Sequence, residues 1–337
     1  MKVFVTGADG FLGVALVKRL LSAGHQVKVL IHSPKSCDSL GGLEVEKCFG
    51  DILDLEAMEK ETKGVEAIFH LASLYKFYPW WQKKVPEIYQ VNVGGTKNLL
   101  AAARKNKIKR FIFTSSVAAV GKRPDGKPSN EDVEFNLWKK SSHYARSKVL
   151  AEQEVLKSAK QGFPAVILNP AALIGEGDRK PTPTGRMIVD FLNRRYPVYF
   201  NAVISLADVD DAARAHLAAL EKGKPGERYI LCNNRAYELK ELFTILQQVS
   251  GVPAPRLKAP YPFLIGFLYL DEVVSDWLKK RPLLSTRTVE FCRNSIVFDN
   301  SKAAQELGYT TTPVTTTLAK AVNWYKENGY LKKGAKQ

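Results

Sequence analysis

The first chemically suggestive feature of the sequence is a tyrosine followed four residues later by a lysine, Tyr144 and Lys148. A spacing of four places both side chains on one face of a helix. A nearby ammonium stabilises a phenolate and lowers the pKa of the phenol, so the tyrosine can act as a general acid or base. Among the 13 tyrosines, Tyr144 alone has a lysine at this position. The pair therefore predicts proton transfer at a substrate oxygen.

A serine is expected to lie beside this pair. Ser116 follows residues 110–114, a short β-rich run that predicts a strand. In open α/β sheets, ligands bind at the carboxyl ends of the strands, which is where Ser116 falls. We expect its hydroxyl to hold a substrate carbonyl or hydroxyl group against Tyr144.

Three glycines near the start of the chain predict a phosphate-binding loop. Gly7, Gly10 and Gly13 have the spacing G-x-x-G-x-x-G, between a predicted strand and a periodic helix. Glycine lets the backbone turn tightly and approach a pyrophosphate, and the helix N-terminus supplies free N–H groups and a positive dipole end. A dinucleotide is the ligand that this arrangement fits.

The end of the second predicted strand bears on the choice of dinucleotide. A carboxylate there would bind an unphosphorylated adenosine ribose, but none occurs before Asp38. His32, Ser33 and Lys35 could instead bind a 2′-phosphate. This favours NADP(H) over NAD(H), although the same side chains could simply be loop polarity.

The elements that must position these residues alternate between short apolar runs and helical patterns. Strands are predicted over residues 3–6, 26–31, 45–49, 67–70, 110–114, 165–169 and 228–232. Helices are predicted over residues 11–23, 53–61, 85–106, 141–159, 185–193, 210–221, 239–249 and 262–278. Strands separated by helical crossovers indicate an α/β protein, with a Rossmann-type doubly wound parallel sheet. We predict a dinucleotide-binding domain over 1–170, to which 203–233 return. A smaller, discontinuous, mostly helical cap comprises 171–202 and 234–331, and 332–337 form a disordered basic tail.

Composition excludes some classes of function. The net charge of +16 is spread along the 337 residues, so we expect a solvated basic surface and no nucleic-acid partner; clustered charge would favour the opposite. No secretory leader is visible, and the four cysteines are far apart, which predicts reduced thiols and a cytoplasmic location. No spacing typical of metal ligands occurs, so no metal is predicted.

One apolar stretch, 262–270, is too short to span a bilayer, so no stable membrane insertion is expected. It could line a pocket, touch a membrane surface or be core, and core is favoured. The aromatic group Tyr75, Phe77, Tyr78, Trp80 and Trp81 could contact a flat or apolar substrate or pack against the cap. His143 is interpreted as structural, and His25 and His216 as surface or packing residues.

Taken together, these motifs resemble the extended short-chain dehydrogenase/reductase family across essentially the whole chain. The matching segments are TGADGFLG, GDILD, HLAS, NVGGT, TSS, YARSK and NPAALIG. Within the family, residues 178–185 and 87–93 are most similar to the dihydroflavonol-4-reductase-like branch, which includes proteins labelled hopanoid-associated sugar epimerase.

The resemblance implies roles for individual residues. Pyrophosphate would be wrapped by the loop residues Gly7, Gly10, Phe11, Leu12 and Gly13. Asp51 would meet the adenine amino group, with Ile52 beside the ring. The middle of the cofactor would be lined by Leu71, Ala72 and Ser73, and the nicotinamide flanked by Pro170, Ala171, Ala172 and Leu173. Lys148 would also bind the nicotinamide ribose, and Asn92 would be a fourth catalytic member that fixes a water or the helix carrying Tyr144. Relatives that use NADP often have arginine where His32 stands.

The sequence therefore predicts an oxidoreductase that moves hydride between nicotinamide and a small-molecule carbonyl or carbinol. The same groups could serve a nucleotide-sugar epimerase or dehydratase, in which hydride leaves and returns. A cofactor-sensing protein without catalysis would usually lack the Tyr–Lys pair. The two long predicted helices, 85–106 and 141–159, resemble those that pair in dimers of this family, so a homodimer is predicted.

Overall fold

The structure of the chain, a computed structural model, describes residues 1–33, 38–75, 85–278, 282, 286, 289 and 296–331. Its central element is a sheet of seven parallel strands in the spatial order β11-β6-β5-β4-β1-β2-β3. These strands are β1 (Lys2–Thr6), β2 (Gln26–Ile31), β3 (Glu46–Phe49), β4 (Ala67–His70), β5 (Arg110–Thr114), β6 (Ala165–Pro170) and β11 (Arg228–Leu231). The order reverses between β1 and β4, which opens a crevice at the carboxyl ends of the strands. The predicted Rossmann-type sheet is confirmed.

Helices flank the sheet and build the C-terminal part of the chain. They are α1 (Phe11–Ser22), α2 (Leu55–Glu61), α3 (Pro86–Tyr89), α4 (Gly95–Lys105), α5 (His143–Lys160), α6 (Pro183–Leu192), α7 (Val209–Lys222), α8 (Leu239–Ser250), α9 (Tyr261–Trp277), α10 (Ser301–Leu307) and α11 (Val314–Glu327). Three short strand pairs accompany them: β7 (Ala172–Ile174) with β10 (Leu206–Asp208), β9 (Val203–Ile204) with β12 (Tyr237–Glu238), and β8 (Val198–Tyr199) with β13 (Leu257–Lys258).

The helix predicted over 85–106 contains a feature that its periodicity did not reveal. A π-helical turn, Gln90–Gly94, separates α3 from α4 and carries Asn92. Such turns widen a helix by one residue per turn and commonly occur at functional sites. Hydrophobic spacing is nearly unchanged by a single wide turn, which is why the sequence predicted one regular helix.

Apolar packing is organised around separate cores. Two cores lie against the sheet, and a third joins α6, α8 and α11 in the C-terminal part. Ala303, Leu307 and Tyr309 belong to a sheet core although they come from the late part of the chain. The predicted division into domain and cap stays a prediction. These three residues were assigned to the cap, but they pack in a core that lies against the sheet.

The preference for core packing of residues 262–270 is wrong. Phe263, Phe267, Tyr269 and Leu270 are exposed, whereas Leu268 is buried. This part of α9 turns one narrow face inward and most of its apolar surface outward. An apolar composition alone could not reveal this, because it does not say whether a partner surface is available.

One carboxylate joins a sheet-side helix to the C-terminal part, and its removal tests the packing. Asp208 caps α7 by accepting from the backbone N–H of Asp210 at 2.7 Å, and it also accepts from the Thr317 hydroxyl at 2.6 Å. Asp208→Ala should lower the free energy of unfolding by about 2–4 kcal/mol, combining a lost cap with a buried hydroxyl left unpaired. Asp54→Ala removes an exposed cap from α2 and should cost about 1 kcal/mol. Urea unfolding measures both, and equal losses would contradict the bridging role.

Candidate active site

The loop between β1 and α1 is shaped by close backbone contacts. Gly7 has a φ of +69°, and a Cβ there would lie 2.7 Å from the backbone nitrogen of Ala72. A Cβ on Gly13 would lie 2.1 Å from the carbonyl oxygen of Gly7. Gly10 donates its N–H to the same Gly7 oxygen at 3.1 Å. A Cβ at Gly7 or Gly13 would overlap backbone atoms, so glycine is required for the loop, here called the glycine cradle, to fold this closely onto residue 72 and the start of α1.

The first turn of α1 presents backbone donors to this cradle. Gly10 is its N-cap and offers no side-chain cap, and no acidic residue lies in the first turn. Phe11 and Leu12 occupy that turn, where helix geometry leaves N–H groups without intrahelical partners. Free N–H groups at the positive end of a helix fit a diphosphate. The five predicted pyrophosphate residues are therefore brought together.

The predicted adenosine end lies where β2 and β3 finish. His32 Nδ1 is 3.8 Å from a carboxylate oxygen of Asp51; the His32 side chain is largely exposed and that of Asp51 is half-buried. Asp51 also accepts from the backbone N–H of Leu53 at 2.9 Å, while Ile52 is buried beneath this edge. Lys35 lies outside the described residues. Asp51 thus brings a carboxylate from the neighbouring strand close to His32, which the end of β2 alone did not indicate.

The segment after β4 is fixed to β1 by hydrogen bonds. Leu71 donates its N–H to the Thr6 carbonyl at 3.1 Å, and Ala72 donates to the Thr6 hydroxyl at 3.2 Å. The fully buried His70 ring lies between the hydroxyls of Thr6 and Thr96, at 2.8 and 3.0 Å. Burial, with a smaller contribution from Lys148, lowers the pKa of His70 to about 3, so its ring is neutral. This network holds residues 71–73 over the glycine cradle.

Tyr144 lies near the start of α5, beside Ser116 at the end of β5. Burial raises the pKa of Tyr144 to about 12, and a hydrogen bond with the Ser116 side chain acts in the opposite direction. Tyr75 packs edge-on against the Tyr144 ring, with centroids 4.4 Å apart. Leu74, Val85 and Ile88 complete an apolar cluster around that ring. The phenol is thus protonated at neutral pH and lies at an apolar wall.

Lys148 is 2% exposed, and its ammonium donates to the Thr114 carbonyl at 2.7 Å, above the Phe113 ring. Burial lowers the pKa of Lys148 to about 7, opposed by the negative charge of Glu152. The pair is present as predicted, and burial is the largest cause of the pKa shift of both groups. The expectation that Lys148 lowers the pKa of Tyr144 stays a prediction.

A buried polar network behind Lys148 was not predicted. Glu152 follows Lys148 by one helical turn and pairs with Arg228 of β11 at 3.3 Å. Asn169 of β6 donates to Glu152 at 2.5 Å and to the Ser116 carbonyl at 3.0 Å. The sequence could have indicated Glu152, because it follows Lys148 by four residues and so lies on the same helix face. No local pattern could have indicated Arg228, because only the pairing of β11 with β6 brings it to this network.

Asn92 connects the π-helical turn to two neighbouring segments. Its amide donates to the Ser147 hydroxyl at 2.9 Å, and its oxygen accepts from the Leu74 N–H at 2.7 Å and the Ser73 hydroxyl at 3.2 Å. These contacts fix α5 against the segment after β4. Of the two roles offered for Asn92, positioning the helix that carries Tyr144 is the one these contacts support.

The remaining predicted residues lie at the end of β6. Pro170 closes that strand, Ala171 donates its N–H to the Leu231 carbonyl at 2.8 Å, and Ala172 and Leu173 continue into β7. Asn169 links this segment to Ser116, so both flank the same crevice. Tyr75 belongs to the aromatic group that could contact a flat or apolar substrate, and its contact with Tyr144 depends on how the segment after β4 folds back. The other members of that group, Phe77, Tyr78, Trp80 and Trp81, lie outside the described residues.

Three other expectations can be located in the structure. His216 is buried, with its ring between the Thr114 hydroxyl and the Ala212 carbonyl, at 2.8 and 2.7 Å. His143 accepts or donates a hydrogen bond with the Tyr89 hydroxyl at 2.8 Å. Within the ranges that the structure describes, no group of three or more His, Cys, Asp or Glu residues could hold a metal ion.

Comparison with known proteins identifies the family of the chain. Residues 3–232 match the NAD dependent epimerase/dehydratase family. The chain belongs to this family. A Synechocystis protein that carries the name dihydroflavonol 4-reductase is 38% identical over 98% of this chain and 96% of its own length. Sterol demethylase protein B of Methylococcus capsulatus is 30% identical over 98% of this chain and 100% of its own length. These relatives support the dihydroflavonol-4-reductase-like branch of the extended short-chain dehydrogenase/reductases.

A solved structure extends the likeness to the whole fold. The crystal structure of a nucleoside-diphosphate-sugar epimerase from Pseudomonas aeruginosa superimposes with a TM-score of 0.79 at 26% identity. The match covers 98% of this chain and 99% of that one. The family and its relatives establish an NAD-dependent oxidoreductase or epimerase.

The cradle can be tested by adding a single methyl group. Gly13→Ala should weaken dinucleotide binding by about 10²-fold or more, because the new Cβ overlaps the Gly7 carbonyl and pushes the first turn of α1 from the cradle. Gly266→Ala is the matched control, since a Cβ there meets nothing within 4 Å. Fluorescence titration with reduced cofactor measures both variants. Normal binding by Gly13→Ala would contradict the assignment of the cradle.

The buried ammonium predicts a pH-dependent stability. The pKa of Lys148 is about 7 in the folded chain and about 10.5 when unfolded, so the unfolded state binds more protons between these values. Stability should therefore rise between pH 7.5 and pH 9 by about 1 kcal/mol per pH unit from this group, and this rise should vanish in Lys148→Met.

Lys157→Met, on an exposed part of the same helix, should keep the rise seen in the parent protein. Urea unfolding of all three proteins at several pH values gives the comparison. A parallel pH dependence in the parent and Lys148→Met would show that Lys148 keeps its ordinary pKa.

Proposed function

We propose that the protein is an NADP(H)-preferring reductase of an apolar aldehyde or ketone. When bound in the glycine cradle, NADPH would supply hydride chemistry. Tyr144 donates its phenolic proton to the carbonyl oxygen, and Ser116 holds that oxygen by a hydrogen bond. A phenol with a pKa of about 12 is fully protonated at neutral pH, as a proton donor must be.

The observation that carries the proposal is the environment of Tyr144. The hydroxyl is paired with Ser116, while the ring meets Tyr75 and the apolar side chains of Leu74, Val85 and Ile88. A flat or apolar carbonyl compound matches such a wall better than a sugar does, because sugar hydroxyls need polar partners. The name dihydroflavonol 4-reductase, carried by one relative, agrees with a flat substrate of this kind.

Two further groups tune the site in this proposal. Lys148 supplies a positive charge and donors toward the ribose beside Tyr144, and Glu152 favours the charged form of that lysine. Asn92 acts as a positioning residue, because its hydrogen bonds hold α5 in place. Hydride transfer needs the acceptor carbon and the donor aligned within a few ångströms, so such positioning bears directly on rate.

The proton-transfer role is tested by Tyr144→Phe. Turnover should fall by roughly 10²-fold or more, because the transferable proton is lost while the ring still packs against Tyr75. Cofactor affinity should be unchanged within about twofold. The assay supplies NADPH with a panel of aromatic and aliphatic aldehydes and ketones. A variant with near-normal turnover would rule out Tyr144 as the donor.

Cofactor preference gives a second test. The end of β2 lacks a carboxylate and has His32 exposed there, so NADPH should bind about tenfold or more tightly than NADH. Introducing a carboxylate by His32→Asp should remove the preference through repulsion of the 2′-phosphate. Titration calorimetry with both cofactors measures this. Tighter binding of NADH by the parent protein would refute the preference, and the nearby Asp51 would then explain it.

A nucleotide-sugar epimerase is the second candidate function. It draws support from the epimerase of similar fold and from the cations Arg179, Lys180 and Arg186, which could bind a diphosphate. Arg179 is already engaged with the Asp38 carbonyl at 3.0 Å, whereas the Arg186 Nε is buried without a partner among the described residues. Inversion of a nucleotide sugar without net NADPH consumption, and with no carbonyl reduced, would favour this candidate over the reductase.

Assembly as a homodimer through the helices α4 and α5 remains part of the proposal, as does a cytoplasmic location. No helix within the described ranges is both long and apolar enough to cross a membrane. Light scattering at micromolar concentration gives the mass in solution.

A further inference from the structure

The outer side of α9 is a continuous apolar stripe. Its residues are Phe263, Phe267, Leu270, Val273, Val274 and Trp277, here called the α9 apolar face, and all are exposed. Phe263 and Trp277, near the two ends, are 79% and 82% exposed. Positions 263, 267, 270, 274 and 277 repeat at the spacing of one helix face. Contiguous apolar surface of this kind marks an interaction site.

The opposite side of α9 is anchored, so the outward direction of the stripe is fixed. Leu268, Glu272 and Ser275 are buried. The Glu272 carboxylate accepts from the Thr286 N–H at 2.8 Å and from its hydroxyl at 3.1 and 3.2 Å. No described helix or strand packs extensively against α9. The stripe therefore lies on the side of α9 opposite to these buried residues.

The size of the stripe argues against a second copy of the chain as its occupant. A helix of 17 residues is about 25 Å long and presents a face about 10 Å wide, a footprint of a few hundred Å². Stable protein interfaces bury about 800 Å² on each partner and require matched shapes. A fluid apolar phase imposes no such requirement.

Charge near the stripe points to the same kind of occupant. Arg256 and Lys258 are exposed just before α9, and the whole chain carries a net charge of +16. The helix itself carries no lysine or arginine; its acids are the half-buried Asp271, the buried Glu272 and the exposed Asp276. An apolar helix face next to exposed basic residues on a strongly basic protein is attracted to an anionic lipid surface.

We infer that α9 docks the protein on an anionic phospholipid surface. The α9 apolar face enters the boundary between headgroups and acyl chains, and Arg256 and Lys258, which precede the helix, meet the lipid phosphates. The helix lies along the surface and does not cross it, in keeping with its length. This inference goes beyond the proposed reaction and does not rest on it, since docking is measured without any substrate.

The test is sedimentation of the full-length protein with vesicles. We expect it to pellet with phosphatidylcholine vesicles containing about one-third phosphatidylglycerol, and about tenfold less with pure phosphatidylcholine or at raised salt. The triple variant Phe263→Ser, Phe267→Ser and Trp277→Ser should lose at least about tenfold of the bound fraction. Phe49→Ser is the matched control, because Phe49 and Phe267 are both 58% exposed, and it should bind as the parent does.

Circular dichroism and cofactor titration show whether the variants keep the fold, and a single Phe263→Ser change serves as a milder second variant. A parent protein that stays in solution with anionic vesicles overturns the inference. So does equal loss of binding in Phe49→Ser and the triple variant. Conversion of a dimer to a monomer by the triple variant, measured by light scattering, would assign the face to a second copy instead.

Discussion

Parallel pairing of the central strands is the constraint on which the site depends. Because β1, β4, β5 and β6 run in the same direction, the segments that follow them all meet at one edge of the sheet. The glycine cradle, residues 71–73, Ser116 and Pro170 arrive there from distant parts of the sequence. Short contacts then fix the details, as when Thr6 binds the segment after β4 through both its carbonyl and its hydroxyl.

Burial also determines the chemistry of the site, because it shifts the pKa values of Lys148 and Tyr144. The ammonium of Lys148 is enclosed between the Thr114 carbonyl and the Phe113 ring, where its charged form is costly. Glu152 offsets part of that cost, and Arg228 and Asn169 in turn stabilise Glu152. The result is a lysine whose pKa is close to neutrality next to a phenol that keeps its proton. A phenol that holds its proton at neutral pH is in the form that the proposed reduction requires.

The outward stripe on α9 contrasts with this enclosed site. The apolar side chains of the stripe are exposed and are not stabilised by burial in the protein's own cores. The hydrogen bond that Glu272 accepts from Thr286 fixes the orientation of the helix. A reductase of apolar compounds and a lipid-facing helix are compatible properties, because apolar substrates concentrate in membranes. Each proposal has its own test, and neither depends on the other.

The sequence alone determined the α/β architecture, the glycine loop and the Tyr144–Lys148–Ser116 set. These depend on local patterns: strand and helix periodicity, glycine spacing, and two side chains one helical turn apart. Most strand bounds agreed to within a residue for the same reason.

Tertiary structure decided what local patterns do not encode. The π-helical turn at Asn92 leaves hydrophobic spacing nearly intact, so a regular helix was predicted there. The pKa values of Tyr144 and Lys148 depend on burial, and Arg228 reaches Glu152 only because β11 pairs with β6. The exposure of α9 likewise depended on the absence of a packing surface within the described fold, which composition cannot reveal, because an apolar run is equally suited to a core or to an external apolar phase.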